Sequence, residues 1–293
     1  MLSLYNTSPH KCSFMKQNND LQNLPIGIFD SGMGGLTVLK CLKEQLPKES
    51  FVYLGDTARL PYGTKSKDTV VKYAVQMANL LIEQNIKLMV VACNTASMAA
   101  LDHLQAHMPH IPIVGVIKPG AKALVENSPS HQAAVLATEA TINSNIYPNT
   151  IKAIDSNMEI TSLACGLFVA LAEEGCVNDD IAKAAIKKYL HPLLSGEQPA
   201  DAILLGCTHF PVLMPAMKEI LGPSVNIIDS AHTTAEFVTT TLATLNLHSQ
   251  TQRESTKFFV TDSPERFSRI GKLFYGNHIP IDAITLVNGN GYN

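Results

Sequence analysis

Two stretches, LMVVACNTA (residues 88–96) and AILLGCTHF (residues 202–210), decide the fold predicted for this chain of 293 residues. Each is an uninterrupted apolar run that ends in a cysteine and is followed by polar residues and then by a predicted helix. Continuous apolar runs are typical of parallel strands that helices cover on both faces. Because the pattern occurs once in each half of the chain, we expect two similar α/β units rather than one long sheet.

Further apolar runs of the same kind lie on either side of these two stretches. The predicted strands are 26–30, 51–56, 88–93, 111–117, 133–138, 159–164, 202–207, 225–229 and 257–261. Helical patterns lie between them, for example at 66–84, 95–107, 179–190 and 231–245. Strands that alternate with helices predict the α/β class, here with two doubly wound domains.

The domain boundaries are expected near residues 117 and 229. The first domain would then be discontinuous and comprise residues 25–117 and 230–293, and the second would comprise residues 118–229. Residues 1–24 are polar and lack the continuous apolar segment of a signal peptide, so we interpret them as an N-terminal extension.

Composition excludes several classes of protein. Only 16% of the residues are charged and 46% are hydrophobic, which is not the balance of a disordered chain. The 22 basic residues do not outnumber the 25 acidic ones, so no nucleic-acid partner is expected. No apolar run has the length of a membrane helix, so no membrane partner is expected either. The six cysteines form no C-x-x-C pair and are expected to be reduced thiols of a cytoplasmic enzyme or binding protein.

Cofactor motifs are missing from the sequence. DSGMGG (residues 30–35) offers backbone amides that suit an anion, but it matches neither G-x-G-x-x-G nor the P-loop. The spacing of His103, His107 and His110 suits a metal, but no carboxylate or cysteine completes that set, so a solvated helix end is the favoured interpretation. Lys118 and Lys122 lack the surroundings of a pyridoxal site. We expect no metal and no organic cofactor.

Polar residues directly after the predicted strands are the candidates for chemistry, because ligands of open α/β sheets bind beyond the carboxyl ends of the strands. They form four groups, at 30–31, 56–63, 93–95 and 207–209. A single cysteine at a strand end is more often a buried structural residue than a catalytic one. Cys93 and Cys207 occupy equivalent positions, which favours function, and the nearby helix terminus is expected to lower their pKa from about 8.5 and favour the thiolate.

Seven motifs together resemble the cofactor-independent glutamate racemases of the aspartate/glutamate racemase superfamily. They extend over roughly residues 25–275 and are FDSGMGG, GDTARLPYG, ACNTAS, ATEATINSNIY, LACGLFVALAEEG, GCTHFP and FFVTDSPERF. The resemblance implies that Cys93 and Cys207 are catalytic thiols, assisted by Asp30 and His209 respectively. It also implies a substrate site made of Asp30, Ser31, Tyr62, Gly63, Asn94, Thr95, Thr138, Thr141, Thr208 and His209. A glutamate of the EEG segment is expected to assist as well, and Glu173 and Glu174 both stay open.

The same resemblance implies how the reaction proceeds. The substrate would be L- or D-glutamate, bound in the cleft between the two domains. One cysteine would remove the Cα proton and the other would return a proton on the opposite face, with Cys93 serving D-glutamate and Cys207 serving L-glutamate. The reaction would supply D-glutamate for bacterial peptidoglycan. We also expect a homodimer, while control by a cell-wall precursor stays open.

Other functions are compatible with parts of this pattern. An aspartate racemase would share the motifs, because the length of the substrate pocket is not readable from the sequence. A hydantoin racemase or a decarboxylase is a more distant relative, and two strand-end cysteines argue against the decarboxylase. A non-catalytic amino-acid-binding module would bind glutamate without exchanging its Cα proton. A thiol redox protein would form a disulfide between the cysteines.

Overall fold

The computed structural model describes residues 21–194, 199–251 and 255–288. Cys12 and residues 1–20 of the predicted N-terminal extension lie outside the described residues. The strands are β1 Ile26–Asp30, β2 Phe51–Gly55, β3 Leu88–Val91, β4 Ile113–Gly115, β5 Gln132–Ala137, β6 Glu159–Ala164, β7 Ala202–Gly206, β8 Asn226–Asp229, β9 Thr256–Val260 and β10 Ile284–Leu286. The α-helices are α1 Leu36–Gln45, α2 Lys67–Ile82, α3 Asn94–His107, α4 Ile117–Glu126, α5 Glu139–Asn143, α6 Ile146–Ile154, α7 Gly166–Glu173, α8 Asp180–Leu194, α9 Met214–Leu221, α10 Ser230–Thr244 and α11 Pro264–Tyr275.

These strands form two parallel sheets. The first sheet has six strands in the order β10-β9-β2-β1-β3-β4, and the second has four in the order β6-β5-β7-β8. All neighbouring strands in both sheets run parallel. The predicted α/β class with two doubly wound domains is therefore confirmed, while the boundaries at residues 117 and 229 stay a prediction.

Helices cover both faces of both sheets, which is why the inner strands are apolar almost throughout, whereas the edge strand β6 has exposed residues. Ile26 and Ile28 of β1 face a core shared with α1, α10 and α11. Phe29, the residue after Ile28, faces the opposite core with α2 and α3. The second sheet packs against α7, α8 and α9 on one face and against α4 and α6 on the other. No helix in the described ranges is both long and apolar enough to span a bilayer.

The predicted elements differ from the observed ones mainly at their ends. The predicted strand 111–117 is observed only at Ile113–Gly115, because α4 begins at Ile117. The predicted helix at 66–84 begins at Lys67, where the Ser66 hydroxyl accepts a hydrogen bond from the Thr69 amide. Strand β10 has three residues, two of them exposed, at the edge of the first sheet, and its short pattern was not predicted.

Candidate active site

Cys93 lies between the end of β3 and the start of α3. It is the N-cap residue of α3, and its Sγ accepts a hydrogen bond from the Ala96 amide at 3.4 Å. The hydroxyl and the backbone amide of Ser31, which follows β1, also donate to this sulfur. The cysteine is only 5% exposed. The first sheet thus holds the thiol at the carboxyl ends of two adjacent strands.

Cys207 directly follows β7 of the second sheet and is 6% exposed. The backbone amide of His209 donates to its sulfur. The polar residues after it do not enter an α-helix at once: a 3-10 helix at Phe210–Leu213, with Pro211 in its first turn, precedes α9. The predicted order of strand, cysteine, polar residues and helix is therefore observed at Cys207 as well, but the helix begins as a 3-10 helix and Cys207 is not its N-cap residue.

The two sulfurs belong to one electrostatic environment. A charge on Cys93 raises the pKa of Cys207, so the thiols lie within electrostatic reach of each other although they come from different sheets. Both are free thiols. The candidate site therefore joins the carboxyl ends of strands from both domains.

The expectation that the helix terminus favours thiolates is wrong for this closed arrangement. Burial and, after it, the nearby Asp30 carboxyl raise the pKa of the Cys93 thiol to about 11, against the lowering effect of the Ser31 and Ala96 donors. Burial raises the pKa of the Cys207 thiol as well. Removing a thiolate from water costs more than a few backbone amides return, so both thiols are protonated at neutral pH.

Asp30 lies at the end of β1 and is fully buried. Its Oδ2 accepts the Gly32 amide at 2.9 Å, and its Oδ1 accepts the Thr208 hydroxyl at 3.4 Å. Burial raises the pKa of Asp30, opposed by the charge of His209 and by these hydrogen bonds. A buried carboxyl with a raised pKa holds a proton more readily than an exposed one, which is a property that an assisting acid/base group needs.

His209 is linked to the glutamate that the sequence left undecided. Its Nε2 lies 3.0 Å from Oε1 of Glu173, and Oε2 of Glu173 accepts from Arg266 Nη2 at 3.1 Å. Burial alone would raise the pKa of Glu173, but His209 and Arg266 together hold it below its usual value. The Glu174 side chain is 74% exposed and lies 3.9 Å from Arg266. Of the two glutamates, Glu173 is the one that contacts the site.

Three threonine hydroxyls meet where the two domains approach each other. Thr95 Oγ1 lies 3.0 Å from Thr138 Oγ1 and 3.3 Å from Thr141 Oγ1, and the last two are 3.1 Å apart. Thr95 follows β3 of the first sheet, whereas Thr138 follows β5 of the second. The structure brings these predicted substrate residues together across the interface.

Asn94 is joined to a residue that sequence reasoning missed. Its Nδ2 donates to the hydroxyl of Tyr147 on α6 at 2.7 Å, while its Oδ1 is buried without a hydrogen-bond partner in the described residues. Tyr147 lies close enough to Cys207 for a charge on that sulfur to raise the pKa of the phenol, which burial raises already. Tyr147 is the last residue of the motif ATEATINSNIY, but no local pattern in the sequence indicates where its hydroxyl points.

Tyr62 and Gly63 differ in what they contact: the Tyr62 hydroxyl bonds within the first domain, whereas Gly63 lies against the second. Tyr62 is buried, and its hydroxyl donates to Asp56, so this hydroxyl is already engaged. Gly63 lies against the second domain, and a Cβ there would be 2.6 Å from Cβ of Thr138. A side chain at Gly63 would therefore separate the two domains.

All of the predicted site residues are buried, and the site is closed. Among the described residues, no group of three or more histidines, cysteines, aspartates or glutamates has the arrangement of a metal site.

Arg266 was the second residue missed by sequence reasoning, because 93 positions separate it from Glu173. Its signal was limited to its place in the motif FFVTDSPERF.

Taken together, the fold and the site define an α/β protein of two domains with a buried pair of thiols between them. The chain matches the Asp/Glu/Hydantoin racemase family over residues 26–238. A glutamate racemase of Geobacter metallireducens is 45% identical over 255 residues, which cover 87% of this chain and 93% of that protein. The chain therefore belongs to the Asp/Glu/Hydantoin racemase family.

Solved structures agree with this membership. The glutamate racemase of Francisella tularensis, solved in complex with D-glutamate, superimposes with a TM-score of 0.85 at 38% identity and covers 92% of this chain and all of that one (100%). Glutamate racemase isoform RacE1 of Bacillus anthracis gives a TM-score of 0.86 at 35% identity, over 91% of this chain and 98% of that one.

Proposed function

We propose that the protein is a glutamate racemase that interconverts L- and D-glutamate, with Cys93 and Cys207 as its two acid/base groups. The observation that carries the proposal is the pair of buried free thiols, one from each domain, in mutual electrostatic reach. Its relatives at this level of identity are glutamate racemases, and one of them is solved with D-glutamate.

Racemisation needs two groups because the Cα proton leaves from one face and returns on the other. A single base would have to cross the plane of the bound carbanion. With one cysteine on each side, the sulfur that accepts a proton becomes a thiol, while the opposite thiol gives up its proton and becomes a thiolate. The product thus leaves the two sulfurs in exchanged protonation states, ready for the reverse reaction.

The raised thiol pKa suits this chemistry. The Cα–H bond of an amino acid is very weakly acidic, and a thiolate whose conjugate acid has a pKa of about 11 is a stronger base than an ordinary one. The ammonium group of the incoming substrate favours formation of that thiolate, because an opposite charge stabilises the ionised form. Asp30 for Cys93, and His209 with Glu173 for Cys207, are the buried groups that can take up the proton.

The negative charge that develops on the substrate also needs donors. Hydroxyl and amide groups of Ser31, Thr95 and Thr208 surround the site and can bind the α-carboxylate, onto which this charge spreads. Oδ1 of Asn94, which has no hydrogen-bond partner among the described residues, can accept a hydrogen bond from the ammonium group. No step requires a cofactor.

The cellular setting follows from this activity. The thiols must be reduced to work, so we place the enzyme in the cytoplasm, where it would supply D-glutamate for peptidoglycan. We place it there as a homodimer, which light scattering of the purified protein would test.

The decisive experiment uses circular dichroism of purified protein with L-glutamate and no added cofactor. The signal should decay to zero, because enantiomers have equal free energy in water, and the Cα position should acquire deuterium in D2O. L-aspartate should react far more slowly. A binding module would exchange no proton, a decarboxylase would release carbon dioxide, and an aspartate racemase would prefer the shorter substrate.

Cys93→Ser and Cys207→Ser should each lower racemisation by at least about 100-fold, because a hydroxyl is a far poorer acid/base group here. Cys176→Ser is the matched control, since this half-buried free cysteine is not one of the site residues and its replacement should leave the rate unchanged. Normal interconversion with either site variant would remove the two-thiol mechanism.

A further inference from the structure

Helix α11 contacts the active site at two points. Arg266, in its first turn, binds Glu173 at 3.1 Å. Phe274, in its last turn, meets the imidazole of His209 edge-on, with ring centroids 5.1 Å apart. Glu173 in turn lies 3.0 Å from His209. Helix α11 therefore contacts both Glu173 and His209, the two residues that the proposed mechanism assigns to Cys207.

This helix belongs to the opposite domain. Phe267 and Phe274 pack into the core on the first sheet, together with α1. Glu173 ends α7, and His209 follows β7, both of which belong to the second sheet. The contacts of Arg266 and Phe274 are thus made between the domains, and they exist only when the domains are closed.

The ion pair is not placed to contribute much stability. The Arg266 side chain is 40% exposed, and ion pairs with this access to water add little to stability because water screens the two charges. Its Nε is nevertheless buried without a hydrogen-bond partner among the described residues. An arginine with an unsatisfied donor and a partly solvated ion pair is better explained by what it positions than by the stability it adds.

We infer that Arg266 is a positioning residue for the Cys207 half of the reaction: on domain closure it fixes the Glu173 carboxylate, which orients His209 beside Cys207. This inference rests on the proposed function. The supporting donors of Cys93 are Ser31 and Ala96, which lie outside the chain of Arg266, Glu173 and His209, and Cys93 is connected to that chain indirectly, through the charge of His209 that acts on Asp30. Loss of Arg266 should therefore weaken the Cys207 proton transfer more than the Cys93 transfer.

The steady-state rates alone cannot reveal this asymmetry. The equilibrium constant between enantiomers is one, so kcat/KM must fall equally in both directions, whichever transfer is weakened. The primary deuterium isotope effect distinguishes them. When the Cys207 transfer becomes slower, the isotope effect with α-deuterated L-glutamate rises, and the effect with α-deuterated D-glutamate falls, because the Cys93 transfer no longer limits the rate.

The test compares Arg266→Gln and Arg266→Lys with Arg269→Gln, an exposed arginine on the same helix. Arg266→Gln should lower kcat/KM by roughly ten- to a hundred-fold, the range expected when a catalytic group is misplaced. Its two isotope effects should move in opposite directions at an unchanged melting temperature. Arg266→Lys should restore part of the rate, and Arg269→Gln should match the unchanged enzyme.

Two results would overturn the inference. One is an Arg266→Gln enzyme as active as Arg269→Gln. The other is a loss of rate with both isotope effects unchanged, or shifted in the same direction, which would indicate a general structural role. Failure of the unchanged enzyme to racemise glutamate would instead reject the proposed function, so the two failures are distinguishable.

Discussion

Asn94 is held in one orientation by a residue of the other domain. The Tyr147 hydroxyl accepts from Nδ2, which leaves Oδ1 directed away from that bond and without a partner. A buried acceptor without a partner costs free energy, and such cases in native proteins call for an explanation. The amino group of a bound substrate provides one, and Tyr147 then determines that an acceptor rather than a donor faces it.

Tyr147→Phe should therefore impair binding more than chemistry. Without the hydroxyl, the amide of Asn94 can turn over and present a donor to the ammonium group, and we expect KM for glutamate to rise about ten-fold, as for loss of one hydrogen bond to a charged group. Steady-state assays in both directions provide the measurement. Tyr189→Phe makes the same chemical change on α8 and should leave KM unchanged. A variant with normal KM would exclude this role for Tyr147.

The protonation state of the thiols shows where sequence reasoning stops at the scale of the residue. Cys93 could be placed at a strand end and before a helix, because local periodicity specifies both. Its pKa could not, since the burial that dominates it comes from elements far away in the chain. The same limit applies to Glu173 and Glu174. They are adjacent in the sequence, but only the side chain of Glu173 is buried, where a helix from a distant part of the chain covers it.

At the scale of elements, the turn from β1 to α1 and the residues that flank it contact the loop after β7. The Thr37 hydroxyl donates to the carbonyl oxygen of Thr208 at 3.2 Å, and the Thr208 hydroxyl donates back to Asp30. Gly34 lies between these contacts. A Cβ at this position would overlap Nδ1 of His209 and Oγ1 of Thr208.

Gly34→Ala should therefore affect activity through closure. An imidazole and a short hydroxyl side chain have little freedom to move aside, so His209 should be displaced and kcat should fall by about ten-fold or more. Gly166→Ala is the control, because a Cβ there meets nothing within 4 Å and the change at the start of α7 should be tolerated. Equal kinetics for the two variants would show that this approach of the loops is not needed.

The elements themselves were largely predictable, and the reason is physical. Strands buried on both faces give long apolar runs, which locate β1, β3, β5 and β7 within one or two residues. Strand β10 could not be found this way, because an edge strand of three residues lacks a buried pattern. Helix α11 is amphipathic and packs on the first sheet, but its contacts with Glu173 and His209 depend on how two domains meet, which no local pattern contains.

At the scale of the whole molecule, closure determines access to the chemistry. Strands of both sheets end at the site, and Cys93, Cys207 and their partners are buried between the domains. Because both thiols are buried, a substrate can reach them only when the domains separate, and closing the domains again excludes water and strengthens the polar contacts in the site. Opening should therefore limit the reaction of the thiols with any reagent in solution.

Alkylation by iodoacetamide, followed by mass spectrometry of cysteine peptides, measures this opening. Cys93 and Cys207 should react at least about ten-fold more slowly than the half-buried Cys176, because only the open form exposes them. D-glutamate should slow both site cysteines further by favouring the closed form, and glycine at the same concentration should not. Cys176 serves as the internal reference and should be insensitive to either compound. If Cys93 and Cys207 react as fast as Cys176 without substrate, the closed arrangement is not the predominant form in solution.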